Sequence, residues 1–222
     1  PGHFGIFSMI VGSLVVTAGA MIIGTVFGLG LAIVLTIFCP KELAAILKPL
    51  IELLAGIPSV VYGFIGVVTI VPFIRDYFGG PGLSVLATSI VLGVMVVPMV
   101  ASISIDALKS VPRSYWEGSI ALGATEWQST HMVMLKAARS GIVAAIILGM
   151  GRAVGETMAV IMVCGNTLEI PKSPLDPLRT LTSNIALEMG YATGEHREAL
   201  FATAVTLFLL IIALTIAAPT IA

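Results

Sequence analysis

Charge is the scarcest property of this sequence. Only 10% of its 222 residues are Asp, Glu, Lys or Arg, against 58% hydrophobic, and mean hydropathy is +1.09. A soluble domain needs a charged shell around its core, so this composition excludes one and places the chain among proteins that cross a bilayer several times. Basic residues form no tract: eleven Lys and Arg are offset by twelve Asp and Glu, which leaves no electrostatic footprint for nucleic acid. Cysteine is nearly absent. Cys39 and Cys164 make no disulfide framework, and the topology derived below sets them at opposite membrane faces, out of each other's reach. His3, His131 and His196 are scattered without metal-ligand spacing. No GxxxxGK[ST] sequence occurs, so the chain lacks the phosphate-cradling loop of an ATPase. It starts at Pro1 without Met or a charged signal segment, as a trimmed chain would.

What is present is a series of apolar runs, at about 6–38, 50–73, 83–105, 138–164 and 199–218, each close to or above the roughly 20 residues that cross a bilayer as a helix. The first is over-long, so it tilts or lays its first turns at the interface. Its Gly24 and Gly28 form a GxxxG that lets a neighbouring helix approach closely. Cys39-Pro40 stops it, and Lys41–Lys48, KELAAILK, reads as a short amphipathic surface segment. The second run starts at Pro49 and is interrupted by Gly56-Ile57-Pro58-Ser59; Pro58 removes a backbone hydrogen bond, which predicts a helix kink there. Arg75–Gly82 reads as a turn-rich loop, and Leu181–Gly190 as a short helix within the last long polar segment.

Five spans put the loops after the first and third on one side, with Lys41, Lys48, Lys109, Arg113, Lys136 and Arg139. The other loops carry Arg75, Lys172, Arg179 and Arg197 among several acids. Counting Lys and Arg makes the first side cytoplasmic. The loop 106–137 then lies in the cytoplasm. Within it, Pro112 and Ser114 are helix-start signals for a helix over Tyr115–Ala121, Gly123 ends it, and Trp116, Ile120 and Ala121 offer apolar contact. Such a helix suits either a partner's groove or the underside of its own membrane domain.

The fourth run holds the most expensive residues, Arg152 and Glu156, within Gly-Arg-Ala-Val-Gly-Glu-Thr. An ionisable side chain near the bilayer centre costs roughly 2.5–3.5 kcal/mol on insertion scales, so it faces a partner or a wet cavity. On a continuous helix the i, i+4 spacing puts both groups on one face. Arg ahead of Glu is the less favourable order for the helix dipole, which makes helix stabilisation a poor reason for the pair.

The stretch WEGSIALGATEWQSTHMVML at residues 116–135 resembles the EAA loop of ABC importer permeases: Glu117 takes the acidic position, Gly123 the glycine, and Val133 with Leu135 the final apolar pair. Gly118 and Ser119 replace the alanines and Lys136 the proline. IELLAGIPSVVYG at Ile51–Gly63, GRAVGETMAV at Gly151–Val160 and LDPLRTLTSNIALEMG at Leu175–Gly190 are similar to the permeases of the phosphate-specific importer, the last two more to the PstC-type subunit than to its PstA-type mate. The resemblance covers nearly the whole chain. It implies an all-α polytopic protein with the type I ABC importer permease fold, one transmembrane domain over 1–222, with a sixth span expected ahead of Pro1. It further implies a multi-pass inner-membrane subunit that works with a PstA-type second permease, two ATPase subunits and an extracytoplasmic phosphate-binding protein. ATP would be bound by the ATPase chains, leaving this one without catalysis or cofactor. Glu117, Gly118, Ser119 and Gly123 would dock on the ATPase.

Within that family reading, Arg152 faces the pathway and lends positive potential to passing phosphate, and Glu156 neutralises it between turnovers; weak binding suits conduction, because an ion must leave as well as enter. The rival reading is an ion pair that orders the bundle. Two other functional classes also fit a polytopic chain with charges inside a span: a permease for another oxyanion such as sulfate or molybdate, and an ion-coupled transporter or channel.

Overall fold

The computed structural model describes residues 5–221, with side chains through residue 216; His3 lies outside them. The described residues are all-α, without a strand and with one isolated bridge between Gly165 and Leu178. In chain order the helices are α1 (Phe7–Phe38), α2 (Lys41–Ala55), α3 (Ser59–Phe78), α4 (Val85–Lys109), α5 (Arg113–Ala121), α6 (Glu126–Ala137), α7 (Arg139–Gly155), α8 (Met158–Val163), α9 (Leu181–Glu188) and α10 (Gly194–Ile221). By length and composition α1, α3, α4 and α10 suffice to cross a membrane, and the bent pair α6–α7 makes a fifth span.

The axis of the bundle is α4. Of its apolar window 61% is buried, against 11% for α10, so α4 is central and α10 peripheral. Val91, Leu92, Met95, Val96 and Val100 supply the middle of the core. Helix α1 lies against α4 at glycine contacts: a Cβ added to Gly24 would fall 2.8 Å from Val96 Cγ1, and one on Gly28 would fall 2.9 Å from Val100 Cβ. The GxxxG therefore serves this helix pair, where small residues let the backbones close up.

The second span departs from the predicted 50–73. Helix α2 runs straight through Pro49 to Ala55 as an amphipathic rod, and the chain then breaks completely at Gly56-Ile57-Pro58. A residue preceding proline is pushed out of the helical region, so Ile57-Pro58 ends one helix and Pro58 (φ −58°, ψ 137°) becomes the N-cap of the next. Tyr62 Oη donates to the Leu54 carbonyl (2.8 Å), serving one of the acceptors left open at the end of α2. The span is then α3, which carries on through Arg75 to Phe78, four residues into the predicted loop, until Gly79 at φ +80°.

Likewise the third span persists to Lys109, four residues past the predicted Ile105. The fourth is not one helix over 138–164. It bends by 72° at Ala138 and breaks again at Gly155-Glu156-Thr157 before resuming as α8. Gly155 is a poor helix former, and the Glu156 side chain offers the backbone a competing hydrogen bond.

Candidate functional site

The hairpin α5–α6 is built from its turn outward. Gly123 sits at φ +87°; its N–H donates to the Ile120 carbonyl (2.9 Å) and the Ala124 N–H to the Ser119 carbonyl (3.1 Å), the paired bonds of a Schellman ending. Thr125 then starts α6 with a reciprocal capping box to Gln128. Ser119 Oγ donates to the Trp116 carbonyl (2.8 Å) and lies 2.7 Å from Oγ of the fully buried Ser129, whose own hydrogen can serve that second contact. Ser119 thus ties α5 to α6, while Glu117, Gly118 and Gly123 stay exposed. Trp116 is turned inward, packing against a cluster that contains Ile105, Leu108, Met134 and Ala138, so of the two uses open to it this residue serves the underside of its own membrane domain. The outward apolar groups are Tyr115, Ile120, Leu122, Trp127 and Met132, with Leu122 at 91% exposure. The sequence signals marked the turn but not Leu122, whose orientation depends on the left-handed glycine after it.

Arg152 and Glu156 do not share a helix face. Arg152 lies in the last turn of α7, whereas Glu156 is extended (φ −68°, ψ 132°). Glu156 Oε1 accepts from the Ala159 N–H (3.2 Å) at the start of α8, and its carbonyl accepts from Thr182 Oγ1 (2.8 Å) at the start of α9. The ion pairs among the described residues do not join Arg152 to Glu156. Both are half-buried, and Arg152 is within electrostatic range of Tyr62. Pro58 is brought near this place by packing: a Cβ on Gly63 would meet Ala159 Cα at 2.9 Å, so α3, just after its proline start, lies directly on α8. Glu117, Gly118, Ser119 and Gly123, expected to dock on an ATPase, lie elsewhere, on the hairpin. From Arg139 to Arg152 the helix rises about 20 Å at 1.5 Å per residue, which separates the hairpin from the break while joining them by one rod.

Two clusters escaped sequence reasoning because they link residues with no shared periodicity. At the hairpin end, Lys48 donates to Asp106 Oδ1 (2.5 Å) and lies 3.7 Å from Glu52, fastening α2 to the end of α4; the Asp106 hydrogen bond raises the Lys48 pKa, opposed by partial burial. At the opposite end, Arg179 Nη1 donates to Asn184 Oδ1 (3.0 Å) and Glu188 Oε1 (2.8 Å), and its Nε to the Asn166 carbonyl (3.0 Å). His196 Nε2 is 3.4 Å from Glu188 Oε2. A hydrogen bond from Tyr191, then Arg179, hold the Glu188 carboxyl below its usual range.

Comparison with known proteins agrees with this architecture. Probable ABC transporter permease protein YqgH of Bacillus subtilis (strain 168) is 48% identical over 191 residues, 86% of this chain and 62% of that protein. Phosphate transport system permease protein PstC of Xylella fastidiosa (strain Temecula1) is 35% identical over 235 residues, 97% of this chain and 72% of that protein. The chain therefore spans between 62% and 72% of the length of these relatives. Among solved structures, an inward-facing MetNI methionine ABC transporter superposes with a TM-score of 0.74 at 23% identity, covering 95% of this chain and 91% of the other. That likeness shows the fold, the type I ABC importer permease fold. The family described as binding-protein-dependent transport system inner membrane component matches residues 24–221. With its several apolar spans, the chain belongs to this family of multi-pass inner-membrane transport components.

Proposed function

We propose that the protein is the membrane-embedded permease subunit of an ATP-driven importer for inorganic phosphate. The observation that carries the reading is Arg152: a half-buried cation inside a broken span, in no ion pair among the described residues, in a chain whose relatives include phosphate permeases. A cation held there without a bound counter-charge costs several kcal/mol, and an anion that visits it offsets that cost transiently. The pathway role needs Arg152 free of Glu156 in at least one transport state, and the extended Glu156, turned to cap α8, provides such a geometry. Glu156 then neutralises the guanidinium only after the break at 155–157 rearranges.

The partners are a PstA-type second permease completing the pathway, two ATPase subunits on the cytoplasmic side and a phosphate-binding protein outside. ATP is bound and hydrolysed by the ATPase chains, and this subunit performs no chemistry. Closing of the ATPase pair moves α5–α6 through Glu117, Leu122 and their neighbours. Because α6 runs into α7 at the Ala138 bend, that motion reaches the Arg152 segment along a continuous path.

Uptake of radiolabelled phosphate by cells carrying the whole importer tests this. Arg152→Ala is expected to lower uptake at least ten-fold in an assembled complex, with Arg152→Lys retaining part of it. Wild-type uptake by Arg152→Ala removes the pathway role. Import of sulfate or molybdate in place of phosphate reassigns the substrate.

A further inference from the structure

At the 72° bend between α6 and α7 lies an open groove of about 600 Å³ whose lining includes Lys136, Arg139, Ser140, Val143, Ala144 and Ile147. We propose that this elbow binds one anionic phospholipid of the cytoplasmic leaflet, the phosphate head group on Lys136, Arg139 and Ser140 and an acyl chain along Val143, Ala144 and Ile147. The assignment rests on the cytoplasmic placement of the hairpin given above.

Several features point to it together. Lys136 and Arg139 are exposed and take part in no ion pair among the described residues, so their charge is available to a ligand. The other side of α7 is spoken for: a Cβ on Gly141 would collide with Ala107 of α4, and Ile142, Ala145 and Gly149 are buried. The elbow face therefore points away from the bundle. Polar and apolar lining are segregated along the helix axis in the order a lipid requires. From Arg139 to Ile147 the rise is about 12 Å, enough to pass from the head-group layer into hydrocarbon. An acidic surface of a cytoplasmic ATPase suits the two cations but not Val143–Ile147, which lie up the membrane-spanning helix. Basic pockets at the cytoplasmic ends of spans are favourable sites for anionic head groups.

The test uses the full-length protein, purified in mild detergent with the subunits that accompany it, stripped of lipid and titrated with dioleoylphosphatidylglycerol or dioleoylphosphatidylcholine under native mass spectrometry. Wild type is expected to retain phosphatidylglycerol selectively. Lys136→Gln with Arg139→Gln weakens that retention about ten-fold or more and leaves phosphatidylcholine unchanged, while Lys136→Arg with Arg139→Lys preserves it. Equal phosphatidylglycerol retention by the double Gln variant overturns the site. So does displacement of the lipid by millimolar inorganic phosphate, which makes it a soluble-anion site, or a photoreactive group at Val143 that crosslinks to another subunit instead of to lipid. The readout is lipid binding, so failure of phosphate uptake would leave its outcome intact.

Discussion

At Gly123 the backbone φ of +87° is a conformation that costs an L side chain roughly 1–2 kcal/mol. Nothing lies within 4 Å of a Cβ added there, so a substitution acts through the backbone alone. Gly123→Ala is expected to destabilise the hairpin by about 1 kcal/mol, and Gly118→Ala, inside α5 with equally open space, to stabilise it by about 0.5–1 kcal/mol. Hydrogen exchange across residues 113–137 measures both, and a loss at Gly118→Ala equal to that at Gly123→Ala would remove the conformational explanation. Gly123 was legible in the sequence because a glycine after a short apolar helix has few other uses. The geometry of Glu156 was not. Its spacing from Arg152 has the i, i+4 meaning only on an unbroken helix, and the break is fixed by Thr182 and Ala159, a side chain of α9 and a backbone group of α8 that no periodicity connects to it.

Among the elements, α9 and α10 are clasped by Glu188, which faces Arg179, Tyr191 and His196, with Asn184 on the same guanidinium. A carboxyl whose folded pKa is depressed contributes stability that is fully present above its unfolded pKa and is lost as pH falls through the folded value. Acidification below the usual carboxylate range is therefore expected to release the segment 181–198. Limited proteolysis across falling pH detects the release as a new cleavage step. Glu188→Gln should be cleaved more readily at neutral pH and show no such step; an acid step that survives in Glu188→Gln assigns it to another group. Element identity was readable from hydropathy for α1, α4 and α10, where long apolar runs leave no alternative to a helix. Boundaries were harder near proline. At Pro49 the helix α2 is uninterrupted, and at Pro98 α4 continues through a buried position, yet Pro58 ends a helix outright. The same residue type has different outcomes because Pro58 follows Gly56-Ile57, where two weak positions precede it.

In the whole molecule, the hairpin and the Arg152 segment are the two ends of α7, and the 72° elbow is their joint. A charge reversal at the exposed Glu117 is expected to disrupt docking without touching the bundle. In a reconstituted importer, Glu117→Lys should abolish phosphate uptake and release the ATPase from the purified membrane complex, while the thermal midpoint of the permease shifts little. Retained ATP-driven uptake would mean that coupling runs through other residues. The number and order of long apolar helices were legible in the spacing of apolar runs, whereas the elbow and both breaks depend on contacts formed only after folding. One of those contacts bears on the order in which the chain matures. The Glu156 carbonyl is satisfied by Thr182, and Ser13 of the first span accepts from the Leu181 N–H. Both bonds await a helix synthesised after four of the spans have left the ribosome. At about 5–20 residues per second, the interior of the fourth span is made seconds before its partner, so the bundle completes its middle only when the segment carrying α9 arrives.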